Sequence, residues 1–176
     1  MNPPASPCPA PTWRLRQAAR VLARGGILAY PTEAVFGLGC DPDNARAVQR
    51  LLALKQRPVE KGLILIAADF EQLRPYLAPL SSEQLDRVTA DWPGPVTWVL
   101  PAAPDLPAWL SGGRDTVAVR VTAHPLAADL CRAAGMPLVS TSANISHHPA
   151  ARNALDVQRV FGKSVDMILH ADTGGQ

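Results

Sequence analysis

Residues 30–65 read YPTEAVFGLGCDPDNARAVQRLLALKQRPVEKGLIL, and how this stretch divides decides the fold. The apolar run Ile27, Leu28, Ala29, Tyr30 predicts a short buried strand that ends in a polar turn at Pro31, Thr32 and Glu33. Gly37 and Gly39 are expected to supply backbone turns that residues with a Cβ resist. Asp43 or Asn44 can cap a helix over residues 45–54. That helix delivers Lys55, Arg57 and Lys61 into one loop ahead of a second strand, Leu63, Ile64, Leu65, Ile66. Cations gathered between a helix and a strand suggest an anion site, with phosphates as the natural ligand.

Working outward, residues 13–24 place Leu15, Ala18, Ala19 and Leu22 on one helical stripe that Gly25 and Gly26 end. Downstream, residues 70–77 read as a short helix closed by Pro79, and Ser81 or Ser82 can cap another that ends near Asp91. Strands are expected over 96–100, 116–121, 138–141 and 165–169, with the Pro-rich run after the first of these a loop. Pro125 suits the start of a helix that Gly135 ends, and Asn153 the cap of one that Gly162 stops. Strands interleaved with helices predict an α/β domain around a central sheet. Residues 1–12 read as a disordered Pro-rich leader, leaving a single domain over 13–176.

Composition narrows the function classes. The 176 residues are 47% hydrophobic and 18% charged, the balance of a globular chain rather than a disordered one. A formal net charge of +2 does not announce a nucleic-acid binder. Cys8, Cys40 and Cys131 are too widely spaced for a zinc motif or a disulfide framework, which makes a reducing, cytoplasmic setting the simplest reading. No run approaches the roughly 20 apolar residues that span a bilayer, so no membrane role is expected.

Each candidate for chemistry has a plainer alternative. The loop holding Lys55, Arg57 and Lys61 could grip a triphosphate or be a solvated basic turn, and spacing does not decide between them. Neither a P-loop nor a Rossmann glycine fingerprint is present. Arg120 lies mid-strand between valines, where it needs a structural carboxylate or a ligand anion; the polar neighbours in the Ser140 to Asn144 turn tilt the balance to the ligand. His147 and His148 read as solvated loop, His124 and His170 as structural, and Asp41 and Asp43 as turn residues rather than metal ligands. No triad spacing points to covalent catalysis, so the work left is positioning and electrostatic stabilisation.

The segments YPTEAVFGLG at 30–39, KQRP at 55–58 with Lys61, WPGPVT at 92–97, Val119-Arg120-Val121 and Ser142-Ala143-Asn144 resemble the YrdC/TsaC family of threonylcarbamoyl-AMP synthases. The motifs run in the family's order from Trp13 to Gly175, and Ala34 and Gly62 resemble the short bacterial form. The resemblance implies a YrdC/RibB-like α/β fold: a twisted open mixed sheet surrounded by helices, with a positively charged concave cavity. It implies a nucleotidyltransferase that forms L-threonylcarbamoyladenylate and diphosphate from L-threonine, bicarbonate or carbon dioxide, and ATP. Proteins of a downstream transferase complex then modify the adenosine beside the anticodon in tRNAs reading codons that begin with A. Carried over by position, Lys55 and Arg57 are the candidate catalytic cations. Lys55, Arg57, Lys61, Thr116, Ser142 and Asn144 would bind ATP, and Thr32, Arg120 and Ser140 would bind threonine. Mg²⁺ is expected to arrive with ATP, with no metal site in the protein itself. The alternative from another class is an RNA-binding module that uses the same cavity for tRNA or ribosomal RNA.

Two departures from the family pattern carry expectations. Relatives continue beyond Gln176 into a segment with a Ser and an Arg that help hold the substrates, so weaker binding than a longer relative is expected of this chain. His147 stands where relatives often have Gly, which is expected to stiffen the turn.

Overall fold

The computed structural model describes residues 12–174. The leader expected over residues 1–12 therefore lies outside the described residues except for Thr12, and Cys8 lies outside them too. In chain order the elements are α1 (Thr12–Ala23), β1 (Leu28–Pro31), β2 (Phe36–Cys40), α2 (Ala45–Lys55), β3 (Ile64–Ala67), α3 (Phe70–Leu73), α4 (Ser82–Ala90), β4 (Trp98–Pro101), α5 (Ala108–Ser111), β5 (Thr116–Val121), α6 (Pro125–Ala134), β6 (Leu138–Ser142), α7 (Ala154–Phe161) and β7 (Met167–Ile168). The strands form one mixed sheet in the order β4-β5-β3-β6-β2-β1-β7. Parallel pairs join β3 to β5 and β1 to β7, and the remaining neighbours run antiparallel.

Local chemistry sets most of these boundaries. Asn44, rather than Asp43, caps α2, its side chain accepting from the Ala47 N–H at 3.0 Å. Ser81 caps α4 in a reciprocal pair with Gln84. His124 caps α6, ahead of Pro125 at the first helical position. Asp41 and Asp43 serve the turn as expected: Asp41 accepts from the Asp43 N–H at 2.9 Å, and Asp43 accepts from the Tyr76 hydroxyl at 2.8 Å.

The structure corrects the sequence reading in several places. Gly37 and Gly39 make no turn; they sit inside β2 without positive φ. A Cβ on Gly39 would stand 2.5 Å from the Val139 carbonyl oxygen and 2.8 Å from the Tyr30 ring, so the glycine is required by the close passage of Tyr30 beneath the strand. The polar turn falls after Pro31, which belongs to β1. Residues 70–77 divide into α3 and a 3₁₀ turn, Arg74–Tyr76, because Pro75 cannot extend the α-helical ladder. The Pro-rich loop after β4 contains α5, and the last strand shrinks to Met167–Ile168.

Alternation along β1 feeds two cores. Ile27 and Ala29 join Phe36, Leu38, Leu65, Val117 and Val119 on one face, under Leu51 of α2 and Phe161 of α7. Leu28 and Tyr30 join Ile66 and Leu138 on the other, against Leu22 of α1 and Leu130 of α6. Register then sets successive ranks on this second face. Gly37 pairs with Ser142, Gly39 and Ile64 with Ser140, and Ile66 with Arg120. Paired residues point to the same side of a sheet, so hydroxyls, glycines and Arg120 share one surface.

Gly39→Ala is expected to lower stability by about 1–3 kcal/mol, since backbone and a buried ring must both shift. Urea unfolding reads this as an earlier midpoint; an unchanged midpoint would show that β6 yields freely.

Candidate active site

Three linked cavities open on that shared surface. The largest, about 320 Å³, is bordered by Thr32, Gly37, Arg57, Ile66, Arg120 and Ser140 among others. An adjoining space of about 240 Å³ is bordered by Arg57, Lys61, Arg114, Thr116 and apolar side chains that include Val99 and Leu110. A third, about 140 Å³, lies among Lys55, Arg57, Lys61, Ser142 and Asn144. Each of the nine residues singled out in the sequence borders at least one of these spaces, and Arg57 borders all three.

Thr32 starts the turn between β1 and β2. Its hydroxyl donates to the Val35 carbonyl at 2.7 Å, and a Cβ added to Gly37 would meet its methyl at 3.3 Å, the same distance as the Ser140 hydroxyl. Lys55 ends α2 with its ammonium buried. It donates to the Ser142 carbonyl oxygen, to the Asn144 carbonyl at 2.8 Å and to the Asn144 side-chain oxygen at 3.1 Å. An ammonium has three donors, so these acceptors account for all of them. Burial, with the nearby charge of Arg57 as a smaller cause, lowers its pKa to about 8. Lys55 is thus a strut under the Ser142–Asn144 turn, and not a free member of the basic loop.

Arg57 follows the left-handed Gln56, and its guanidinium donates to the Gly62 carbonyl at 3.3 and 2.9 Å. Burial lowers its pKa. Gly62 has φ +64, and a Cβ there would meet the Ser111 carbonyl oxygen at 3.1 Å, so glycine closes the loop against α5. Lys61 is exposed at the end of the short turn Val59–Lys61.

Across the sheet, Arg120 has the carboxylate partner that the sequence reading weighed and set second. Its Nη1 lies 3.4 Å from Glu33, and its Nε and Nη2 donate to the Thr97 hydroxyl at 2.9 and 2.7 Å. Glu33 also accepts from the Thr122 hydroxyl at 2.6 Å and the Ala123 N–H at 3.0 Å. Burial pushes the Glu33 carboxyl up. Those hydrogen bonds, its own backbone N–H and the Arg120 charge outweigh burial and hold it below the usual glutamate value.

The Ser142–Asn144 turn is self-braced: the Ser142 hydroxyl donates to the Asn144 side-chain oxygen at 2.6 Å, and the Asn144 amide donates to the His148 carbonyl at 2.7 Å. His147 has φ +69, a left-handed geometry that glycine takes without strain. His147 and His148 are exposed, while His124 is buried with Nε2 3.0 Å from the Asp172 carbonyl oxygen.

Sequence reasoning missed Glu33, Thr97 and Arg114 as parts of the site. Glu33 and Thr97 stood inside quoted motifs, but nothing in a single sequence says that they meet Arg120. Arg114 carried no motif that drew notice; its Nη1 donates to the Ser111 carbonyl at 3.1 Å on the wall of the second cavity. Among the described residues no group of three or more His, Cys, Asp or Glu side chains could hold a metal ion. Cys40 and Cys131 are buried free thiols, both pushed up to about 12, chiefly by burial. No helix among the described residues is long and apolar enough to cross a membrane.

Comparison with known proteins adds independent findings. The Sua5/YciO/YrdC family model, described as "Telomere recombination", matches residues 20–176. The chain is 58% identical over 164 residues to the threonylcarbamoyl-AMP synthase of Nitrosococcus oceani, covering 93% of this chain and 89% of that one. It is 59% identical over 170 residues to the synthase of Halorhodospira halophila, covering 96% and 89%. Among solved structures it superposes on P. abyssi Sua5 complexed with L-threonine with a TM-score of 0.87 at 36% identity, over 93% of this chain. It spans about half of that longer protein, 48% of its chain. On E. coli YciO the TM-score is 0.81 at 26% identity, covering 92% of this chain and 80% of that one.

Lys55→Met would leave the acceptors of the Ser142–Asn144 turn without a donor, and a loss of about 1–3 kcal/mol is expected at neutral pH. The folded pKa of Lys55 lies below the ordinary lysine value, so above about pH 8 the unfolded chain binds more protons than the folded one. Wild-type stability should therefore rise relative to Lys55→Met from about pH 8 up to that ordinary value. Urea unfolding on both sides of this limit tests the sign: a gap that narrows with pH contradicts the buried cation.

Proposed function

The chain belongs to the Sua5/YciO/YrdC family, and from that premise we propose that it is a threonylcarbamoyl-AMP synthase. The observation that carries the reading is the gathering of the motif residues around connected cavities with unlike ends. Arg120, partnered by Glu33, stands at one end, and Arg57 and Lys61 stand at the other. The identity to synthases named as such over most of the chain supports it.

In this reading L-threonine lies in the largest cavity with its carboxylate on the Arg120 edge and its polar groups toward Ser140 and Thr32. The uncharged amine adds to carbon dioxide: a C–N bond forms, and the amine proton leaves to solvent, giving a carbamate. A carbamate oxygen then attacks the α-phosphorus of ATP, the bond to the β-phosphate oxygen breaks, and diphosphate departs with the electron pair. Arg57 and Lys61 offset the charge that grows on the leaving group, while Thr116, Ser142 and Asn144 hold the nucleotide. Lys55 acts through the turn it supports rather than on phosphate. Mg²⁺, bound with ATP, would neutralise phosphate charge. The cavity walls offer cations and hydroxyls rather than free carboxylates, so phosphate oxygens and water would be its ligands. The adenylate is then consumed by a transferase that modifies tRNA. A basic cavity built for RNA is less well supported, because Arg120, one of the cations that border it, is already paired.

Diphosphate release is expected to require ATP, threonine and bicarbonate together. Release that persists without threonine would refute the assignment. Arg57→Ala should weaken ATP binding and Arg120→Ala threonine binding, each by about tenfold or more, as for lost hydrogen bonds to a charged group. Calorimetry with the separate ligands checks this, and equal losses of both in either variant would undo the division of roles.

A further inference from the structure

Four cations border the two larger cavities: Arg57, Lys61, Arg114 and Arg120. Among the described residues Arg120 alone of these has an acidic partner. That partner is itself immobilised, for Glu33 is 6% exposed and Thr122 and Ala123 hold the carboxylate oxygen that Arg120 does not contact. Thr97, one residue before the start of β4, faces Arg120 by extension of the β4–β5 register and takes the Nε and Nη2 protons on a single oxygen. Between them Glu33 and Thr97 fix the guanidinium plane and leave its remaining N–H groups for the cavity that Arg120 borders.

We propose that Glu33 is a positioning residue that makes the Arg120 edge of the cavity a carboxylate site and keeps phosphate out of it. The inference rests on the synthase reading above. A bare arginine among hydroxyls would take either a carboxylate or a phosphate, since both match its fork. With Glu33 behind it, the net charge of the pair is near zero. A monocarboxylate that also carries an ammonium group can still be oriented by the N–H edge, whereas a polyanion finds no net positive charge there to offset its own. Arg57, Lys61 and Arg114 have no such partner among the described residues, and they are where phosphates belong. The unequal pairing of otherwise similar cations thus sorts two anionic substrates into two ends of one connected space.

Glu33→Gln and Thr97→Val separate charge from geometry. Both are close to isosteric, and circular dichroism and unfolding midpoints confirm that they fold. L-threonine binding is measured by calorimetry without nucleotide, in the presence and absence of inorganic phosphate. The wild-type chain should bind threonine with little sensitivity to phosphate. In Glu33→Gln phosphate should compete, raising the apparent threonine Kd by about tenfold when phosphate stands at about ten times its own Kd. Thr97→Val should weaken threonine by a similar factor with no gain in phosphate sensitivity. ATP binding in both should stay within about twofold of wild type. A Glu33→Gln variant whose threonine binding remains insensitive to phosphate overturns the proposal, as does equal weakening of threonine and ATP. A wild-type chain that binds no threonine sinks the synthase reading instead.

Discussion

A lysine ammonium that is taken out of water must find acceptors for its donors, and at Lys55 that requirement joins three parts of the molecule. The end of α2, the start of the basic loop and the turn after β6 come together because the Ser142 and Asn144 oxygens are the acceptors. The Ser146 hydroxyl returns a bond to the Lys55 carbonyl at 2.9 Å, closing the junction from the other side. Once the junction is fixed, Arg57 is two residues away and has little choice of position. Its bonds to the Gly62 carbonyl then shape the loop that carries Lys61. The charge in the middle of the site is thus structural, and the charges around it are left for ligands.

Much of this was legible in the sequence, for reasons that can be named. Helix caps were readable because Asn44, Ser81 and Asn153 act within three residues of themselves. Strand β5 was readable, with Arg120 inside it between valines, because period-two alternation is a local rule. The motif residues were found through their family pattern, and the cavities gather them. What failed was long-range. Glycine in the Phe36–Cys40 segment was read as backbone freedom when its use is the space it leaves for Tyr30, a neighbour set by the pairing of β1 with β2. Glu33 and Arg120 are 87 residues apart, and only the assembled sheet shows that they meet. Lys55 was grouped with Arg57 and Lys61 because sequence gives residue type and spacing, but not which way a helix-terminal side chain turns.

The two faces of the sheet divide the labour. One face is covered by α2 and α7 and holds the larger core, while the other, under α1 and α6, is covered over part of its area. The glycines of β2 and the hydroxyls of β6 lie on that second face, where small or polar side chains suit a surface that faces ligand rather than helix. Stability and binding are thereby drawn from different sides of the same strands.

A site walled by paired strands inherits their spacing. From β5, which carries Arg120, to β2, which carries Gly37, the sheet order counts three strand steps, roughly 14 Å at the usual separation. Backbone hydrogen bonds hold this width, and no side-chain substitution on these strands can stretch it. Arg120 and Gly37 are also offset along the strands, since Ile66 pairs with both Arg120 and Leu138 while Gly37 pairs with Ser142, so a molecule that touches both must run diagonally across the sheet.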